Sequence, residues 1–172
     1  PEDEEISKAL LREFKKKRIR ILTGASVQNV TKHAQRVVVE VARGERLEEI
    51  EADRVLVSVG RRPVVPRGFP GQLTPQGYLV VDDYLQTTVE HIYGAGDVIG
   101  GLQLAHLAFE EGLTACCNAF APEQKKSRGF VPSCVYTQPE IGSIGLTVKE
   151  AQEKYGEVIV GKYSLKGNGK AA

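Results

Sequence analysis

The chain has 172 residues, 41% of them hydrophobic and 26% charged, with 23 Lys plus Arg against 22 Asp plus Glu for a formal net charge of +1. These are the proportions of an ordinary globular protein, which excludes a disordered, collagenous or coiled-coil chain, and the balanced charge supplies no field to gather nucleic acid or an anionic membrane. No apolar run reaches the roughly 18 residues a membrane span requires, and the acidic opening Pro1 to Glu5 is unlike a signal peptide.

Residues 1 to 18 read as a helix, with Ile6, Ala9, Leu10 and Phe14 recurring on one face at three- and four-residue intervals. Glu2 to Glu5 in its first turn and Lys15 to Arg18 in its last suit the helix dipole, so the basic run is a solvated helix end rather than a nucleic-acid patch. Ile19 to Val27 and Arg36 to Arg43 read as strands, the second with Val37, Val39 and Val41 on one face; Gly44 turns it into a charged return strand over Leu47 to Glu51. The three form a small antiparallel ribbon with one wet side.

Arg54 to Val59 is different, because Val55, Leu56, Val57 and Val59 make the nearly unbroken apolar run expected of a strand covered on both faces. It stops at Gly60-Arg61-Arg62-Pro63. At the carboxyl end of such a strand this turn is a candidate ligand edge, and a turn with two solvated arginines satisfies the same residues. Four of the eight prolines fall between Pro63 and Gly77, so that stretch is a crossing between units.

Tyr78 to Val81 and His91 to Tyr93 read as short strands, the second running into Gly94-Ala95-Gly96-Asp97. Residues 102 to 120 follow as a buried helix, with Ala105, Ala108, Phe109, Gly112, Leu113, Cys116, Ala119 and Phe120 on the stripe expected to face the core. Beyond the polar stretch Pro122 to Arg128, Phe130 to Tyr136 reads as a strand, Thr147 and Glu150 have capping-box spacing before a short helix, and Val158 to Tyr163 reads as a last strand. Cys116, Cys117 and Cys134 match no C-x-x-C or metal spacing, and the first two could bridge each other only with strain, which favours a reducing compartment. The chain contains no Met and opens with Pro, as a processed chain or an excised segment would.

The strand, glycine turn, aspartate and helix around Asp97 carry the chemistry. A phosphate loop presents bare backbone N–H groups to its anion, and a carboxylate after the second glycine would repel it. An ionised carboxylate only accepts hydrogen bonds, so Asp97 suits the hydroxyls of a ribityl or ribose chain, with Gly94 and Gly96 permitting close approach. The helix start beyond it offers N–H groups and partial positive charge to a flavin ring. A plain strand, turn and helix with a solvated aspartate fits the same short motif.

Three segments in order resemble the pyridine nucleotide-disulfide oxidoreductases. Thr87 to Asp97 with Leu104 to Gly112 is similar to their second FAD motif, Val59 to Pro63 to the strand end of their NAD domain, and Pro132 to Glu140 with Ile144-Gly145 to the opening of their dimerisation domain. The likeness is greatest to the dihydrolipoamide dehydrogenase branch. It implies an α/β to α+β chain of partial FAD/NAD(P)-binding Rossmann-like domains and the start of a dimerisation domain. Residues 1–62 would be the second half of the NAD domain, 63–124 the closing segment of the FAD domain, and 125–172 the truncated start of the interface domain.

By the same resemblance Asp97 would accept from the ribityl hydroxyls of FAD, and the backbone of Gln103, Leu104, Ala105 and His106 would meet the flavin. Gly60 would lie near the nicotinamide nucleotide of NAD and Val27 beside its adenine. His106 is a helix-start residue rather than a proton carrier, and His33 and His91 are structural or exposed. The family's complete enzyme also has a glycine fingerprint for FAD, a second for NAD, a redox cysteine pair and a terminal His-Glu pair; this sequence contains none of them. The expectation is therefore an internal fragment, inactive alone and holding no cofactor tightly, of a cytoplasmic or mitochondrial-matrix enzyme that oxidises dihydrolipoamide and reduces NAD. Its partners would be a lipoyl domain or dihydrolipoamide and a second copy docked through residues after about 130, with no nucleic acid and no membrane. The alternatives are a non-catalytic self-association module, a piece of a glutathione or mercuric reductase-like enzyme, and a free-standing NAD-binding domain, which the missing phosphate loop disfavours.

Overall fold

The computed structural model describes residues 2–121 and 129–169. The polar stretch Pro122 to Arg128 lies outside the described residues. The chain divides into two compact units, one spanning Ile21–Gly129 and the other formed by the segments up to Arg20 and from Phe130 onward. Both mix helices with small antiparallel sheets.

In the unit formed by the two chain ends, helix α1 spans Glu4–Lys16, with Glu4 and Glu5 in its first turn and Lys15 and Lys16 in its last. Lys8 pairs with Glu4 at 2.6 Å and Lys16 with Glu13 at 2.7 Å along its exposed side. Strands β4 (Ser133–Val135) and β5 (Ile141–Ser143) form an antiparallel pair, and helix α3 spans Val148–Tyr155. The capping box is present: Thr147 Oγ1 accepts from Glu150 N at 3.3 Å while Thr147 N donates to Glu150 Oε2 at 2.8 Å. Asp3 Oδ1 accepts from Val148 N at 2.8 Å, which places a carboxylate against the amino end of α3. Val158 to Tyr163 forms no strand and pairs with none among the described residues, so that expectation fails.

In the Ile21–Gly129 unit, β1 (Ser26–Lys32), β2 (Val37–Arg43) and β3 (Arg46–Ala52) form an antiparallel sheet in the order β1-β2-β3. Gly44, at φ +60°, closes the tight turn between Arg43 and Arg46. Val41 is buried, and Val37 to Glu40 and Ala42 are half-buried, so β2 shows no alternation between a dry and a wet face. The first strand starts at Ser26 rather than Ile19; residues 19–22 lie outside any ladder.

Arg54 to Val59 is a correction. It forms no strand, and Leu56 and Val59 are 91% and 92% exposed. A strand exists only through its neighbours, and among the described residues none pairs with this run. Tyr78 to Val81 and His91 to Tyr93 likewise make single bridges, Leu73 to Leu79, Val81 to Thr87 and Gln86 to Tyr93, rather than full strands.

Helix α2 spans Ala105–Phe120, and here the predicted face is inverted. Leu107, Glu111, Ala115 and Asn118 are the buried residues, whereas Phe109, Leu113, Cys116 and Phe120 are exposed. The packed face is fixed by polar anchors: Asn118 Nδ2 donates to Tyr84 O at 2.8 Å and Tyr93 Oη to Asn118 O at 3.0 Å. Leu85, fully buried at φ +68°, lies in the loop that α2 covers. No helix among the described residues is long and apolar enough to cross a membrane.

Candidate functional site

The candidate site is assembled where the chain passes from the 72–94 loops into α2. Leu79 N donates to Val98 O at 2.9 Å and Gly94 N to Leu85 O at 2.9 Å, so the approach to the turn is held on both sides. Gly96–Ile99 then winds as a single tight helical turn. Gly96 has φ +72°, and a Cβ there would lie 3.1 Å from the Cβ of Ala108; one on Gly94 would lie 2.7 Å from Ile99 Cγ2. These two positions are therefore filled by the chain's own side chains, and glycine there lets the turn lie against α2.

Two charged side chains hold this turn. From α2, Glu111 Oε2 accepts from Gly96 N at 2.8 Å. From the turn after residue 60, Arg61 Nη1 donates to Asp97 Oδ2 at 2.8 Å and to Gln103 O at 3.4 Å. Asp97 keeps 47% of its side chain exposed and Arg61 64%, so the carboxylate is neither under packed hydrocarbon nor closed to solvent. Gln103 sits at φ +45°, with Nε2 donating to Tyr78 Oη at 3.4 Å, and Leu104 is extended immediately before the helix.

The first intrahelical bond of α2 runs from Ala108 N to Leu104 O, and no side-chain hydrogen bond caps that end. Its amino end, with the partial positive charge such ends carry, begins two residues after Gln103, whose carbonyl Arg61 contacts. The arrangement offers a carboxylate acceptor, a guanidinium and a helix start in succession. That donor and acceptor set fits a polyol attached to a ring that gains negative charge.

The predicted residues Gly94, Gly96, Asp97, Gln103, Leu104, Ala105 and His106 are thus contiguous, and Gly60, at φ +123° and exposed, joins them through its neighbour Arg61. Val27 belongs to a separate element, the edge strand β1, where it is exposed. No group of His, Cys, Asp and Glu among the described residues is arranged to hold a metal. Two partners went unread in the sequence. Arg61 was visible as part of a candidate ligand edge but 36 residues from Asp97, and Glu111 lies outside the stripe expected to face the core.

The family described as pyridine nucleotide-disulphide oxidoreductase matches residues 1–112, and that family's dimerisation domain matches residues 131–172. Dihydrolipoyl dehydrogenase of Bacillus subtilis (strain 168) is 37% identical over 174 residues, covering 99% of this chain and 37% of its own. The protein of the same name from Mycobacterium leprae (strain TN) is 36% identical over 177 residues, covering 99% and 38%. Among solved structures, LpdA from Mycobacterium tuberculosis superposes with a TM-score of 0.79 at 27% identity, over 91% of this chain and 34% of that one. The HOCl-induced flavoprotein disulfide reductase RclA from Escherichia coli superposes with a TM-score of 0.75 at 26% identity, over 88% and 35%. The chain spans little more than a third of the length of the curated relatives it matches.

Proposed function

The chain belongs to the pyridine nucleotide-disulphide oxidoreductase family, which implies flavin and NAD(P) use, and from that premise we propose that residues 94–106 form the flavin-facing part of its site. Asp97 accepts from the ribityl hydroxyls of FAD, and the backbone of Gln103, Leu104, Ala105 and His106 meets the isoalloxazine ring. Gly94 and Gly96 serve by shaping the turn that aims Asp97. Gly60 lies near the nicotinamide of NAD and Val27 near its adenine. Bound there, FAD would be the electron carrier between a dithiol and NAD. The observation that carries this reading is the half-exposed Asp97 carboxylate, tied by Arg61 to Gln103, two residues before the uncapped start of α2.

The parent reaction is oxidation of dihydrolipoamide with reduction of NAD, through FAD and a cysteine pair. Support for that substrate is the run of dihydrolipoyl dehydrogenases at 34–37% identity. The cysteine pair is not in this sequence, so the chain contributes flavin contacts and not the thiol chemistry.

Riboflavin tests the site, because it carries the ring and ribityl chain without the adenine and pyrophosphate. Lumichrome, the ring without the chain, is the control. The 172-residue chain should bind riboflavin in preference to lumichrome by saturation-transfer NMR, and Asp97→Ala should weaken riboflavin about tenfold or more, as loss of a hydrogen bond to a charged group does. Equal binding of the two compounds, equal binding by the variant, or binding of neither compound rejects the assignment.

A second reading has its own support. The dimerisation-domain match at 131–172 makes homodimerisation a family property, and Phe130, Tyr136 and Tyr163 are all highly exposed. Self-association of this chain through the segment after about residue 130 follows, and a dilution-resistant dimer by sedimentation would establish it. A monomer at every concentration would reject it.

A further inference from the structure

Glu111 is 4% exposed and is the most buried charged side chain among the described residues. A carboxylate taken out of water has to be compensated by hydrogen bonds, and here one of them comes from the first residue of the Gly96–Ile99 turn, Gly96 N, at 2.8 Å. That donor is one peptide away from Asp97. Glu111 lies three residues, about one helical turn, from Ala108, whose Cβ a Cβ added at Gly96 would meet at 3.1 Å, so the same face of α2 both supports the turn sterically and grips it by a hydrogen bond.

We propose that Glu111 is a positioning residue of the flavin site: by accepting from Gly96 N it fixes the turn against α2 and so sets where the Asp97 carboxylate stands relative to the helix start. The function of the turn rests on the reading of Asp97 given above, while the grip itself does not. Arg61 reaches Asp97 from an exposed position and can be displaced by solvent, whereas Glu111 works from within the packed face. The acceptor oxygen is what the turn needs, so an amide in the same place should serve it.

The test uses the whole chain and two variants, Glu111→Leu and Glu111→Gln. Amide hydrogen exchange at Gly96 needs no ligand and should accelerate about tenfold or more in Glu111→Leu, with protection at Leu85 unchanged and Glu111→Gln near wild type. Riboflavin affinity should follow the same order, about tenfold weaker in Glu111→Leu and retained in Glu111→Gln, with lumichrome unaffected. Unchanged exchange at Gly96 in Glu111→Leu overturns the proposal. So does loss of protection in both variants, because the charge and not the acceptor would then be at work. If Glu111→Leu does not fold, Glu111→Ala is read in its place. If wild type binds no riboflavin, the flavin reading falls, and the exchange pattern still decides whether Glu111 holds the turn.

Discussion

The guanidinium of Arg61 and the carboxylate of Asp97 meet at 2.8 Å although the first is mostly and the second about half exposed. An exposed pair of this kind contributes about 0–1 kcal/mol. Its consequence is therefore positional: one nitrogen ties the residue after Gly60 to both the turn and Gln103 O. Arg61→Gln should change the free energy of urea unfolding by no more than that amount, and the difference should shrink at about 1 M salt, where charges are screened within roughly 3 Å. A loss above about 2 kcal/mol would mean the pair is a structural anchor.

Gly96 and Gly112 should respond in opposite directions to the same substitution. At Gly96 the backbone has φ +72° and a new Cβ would press on Ala108 at 3.1 Å, whereas at Gly112, inside α2, a Cβ meets nothing within 4 Å. Gly96→Ala should cost about 1–3 kcal/mol from the left-handed conformation and the contact together. Gly112→Ala should gain about 0.5–1 kcal/mol, because it removes the backbone entropy penalty of a helical glycine. Urea unfolding of both variants checks this, and a neutral Gly96→Ala would show that the turn can open away from α2.

What the sequence disclosed depended on how local each determinant is. The capping box at Thr147 and Glu150 and the turn at Gly44 were legible because all their partners lie within a few residues. The helix over 105–120 was legible too, but its inward face was not. Apolar residues occur all around α2, and the choice is made by distant groups, Tyr84 and Tyr93 at Asn118 and Gly96 at Glu111. The apolar run Arg54 to Val59 announces that something should cover it without saying what, and among the described residues nothing does. Asp97 was readable from its motif, while Arg61 became its partner only through the fold.

Leu107 and Leu113 make the inversion of α2 measurable. Leu107 is buried and Leu113 is 70% exposed, although the apolar stripe read from the sequence runs through Leu113. Leu107→Ala should cost about 2–5 kcal/mol through lost burial and the cavity left behind. Leu113→Ala should stay within about 0.5 kcal/mol, as exposed substitutions do. Equal costs for the two in thermal or urea unfolding would mean that the stripe through Leu113 is covered in solution.

The amino end of α3 should sense acid through Glu150. Its carboxyl lies below the ordinary value of 4.5, first because Thr147 N donates to it and second because the Thr147 hydroxyl does. A carboxyl lowered in the folded chain adds stability that is present above its unfolded value and is lost as pH falls through the folded one. Order at the start of α3 should therefore hold from neutral pH down to about 4.5 and decline below it, read as the Thr147 amide shift and its exchange. Asp3 accepts from the adjacent Val148 N, so Glu150→Gln isolates the part played by Glu150. Gln retains the acceptor of the capping box but has no proton to gain. In that variant the Thr147 amide should lose its pH dependence, and a Thr147 transition that survives would show that Glu150 is not its source.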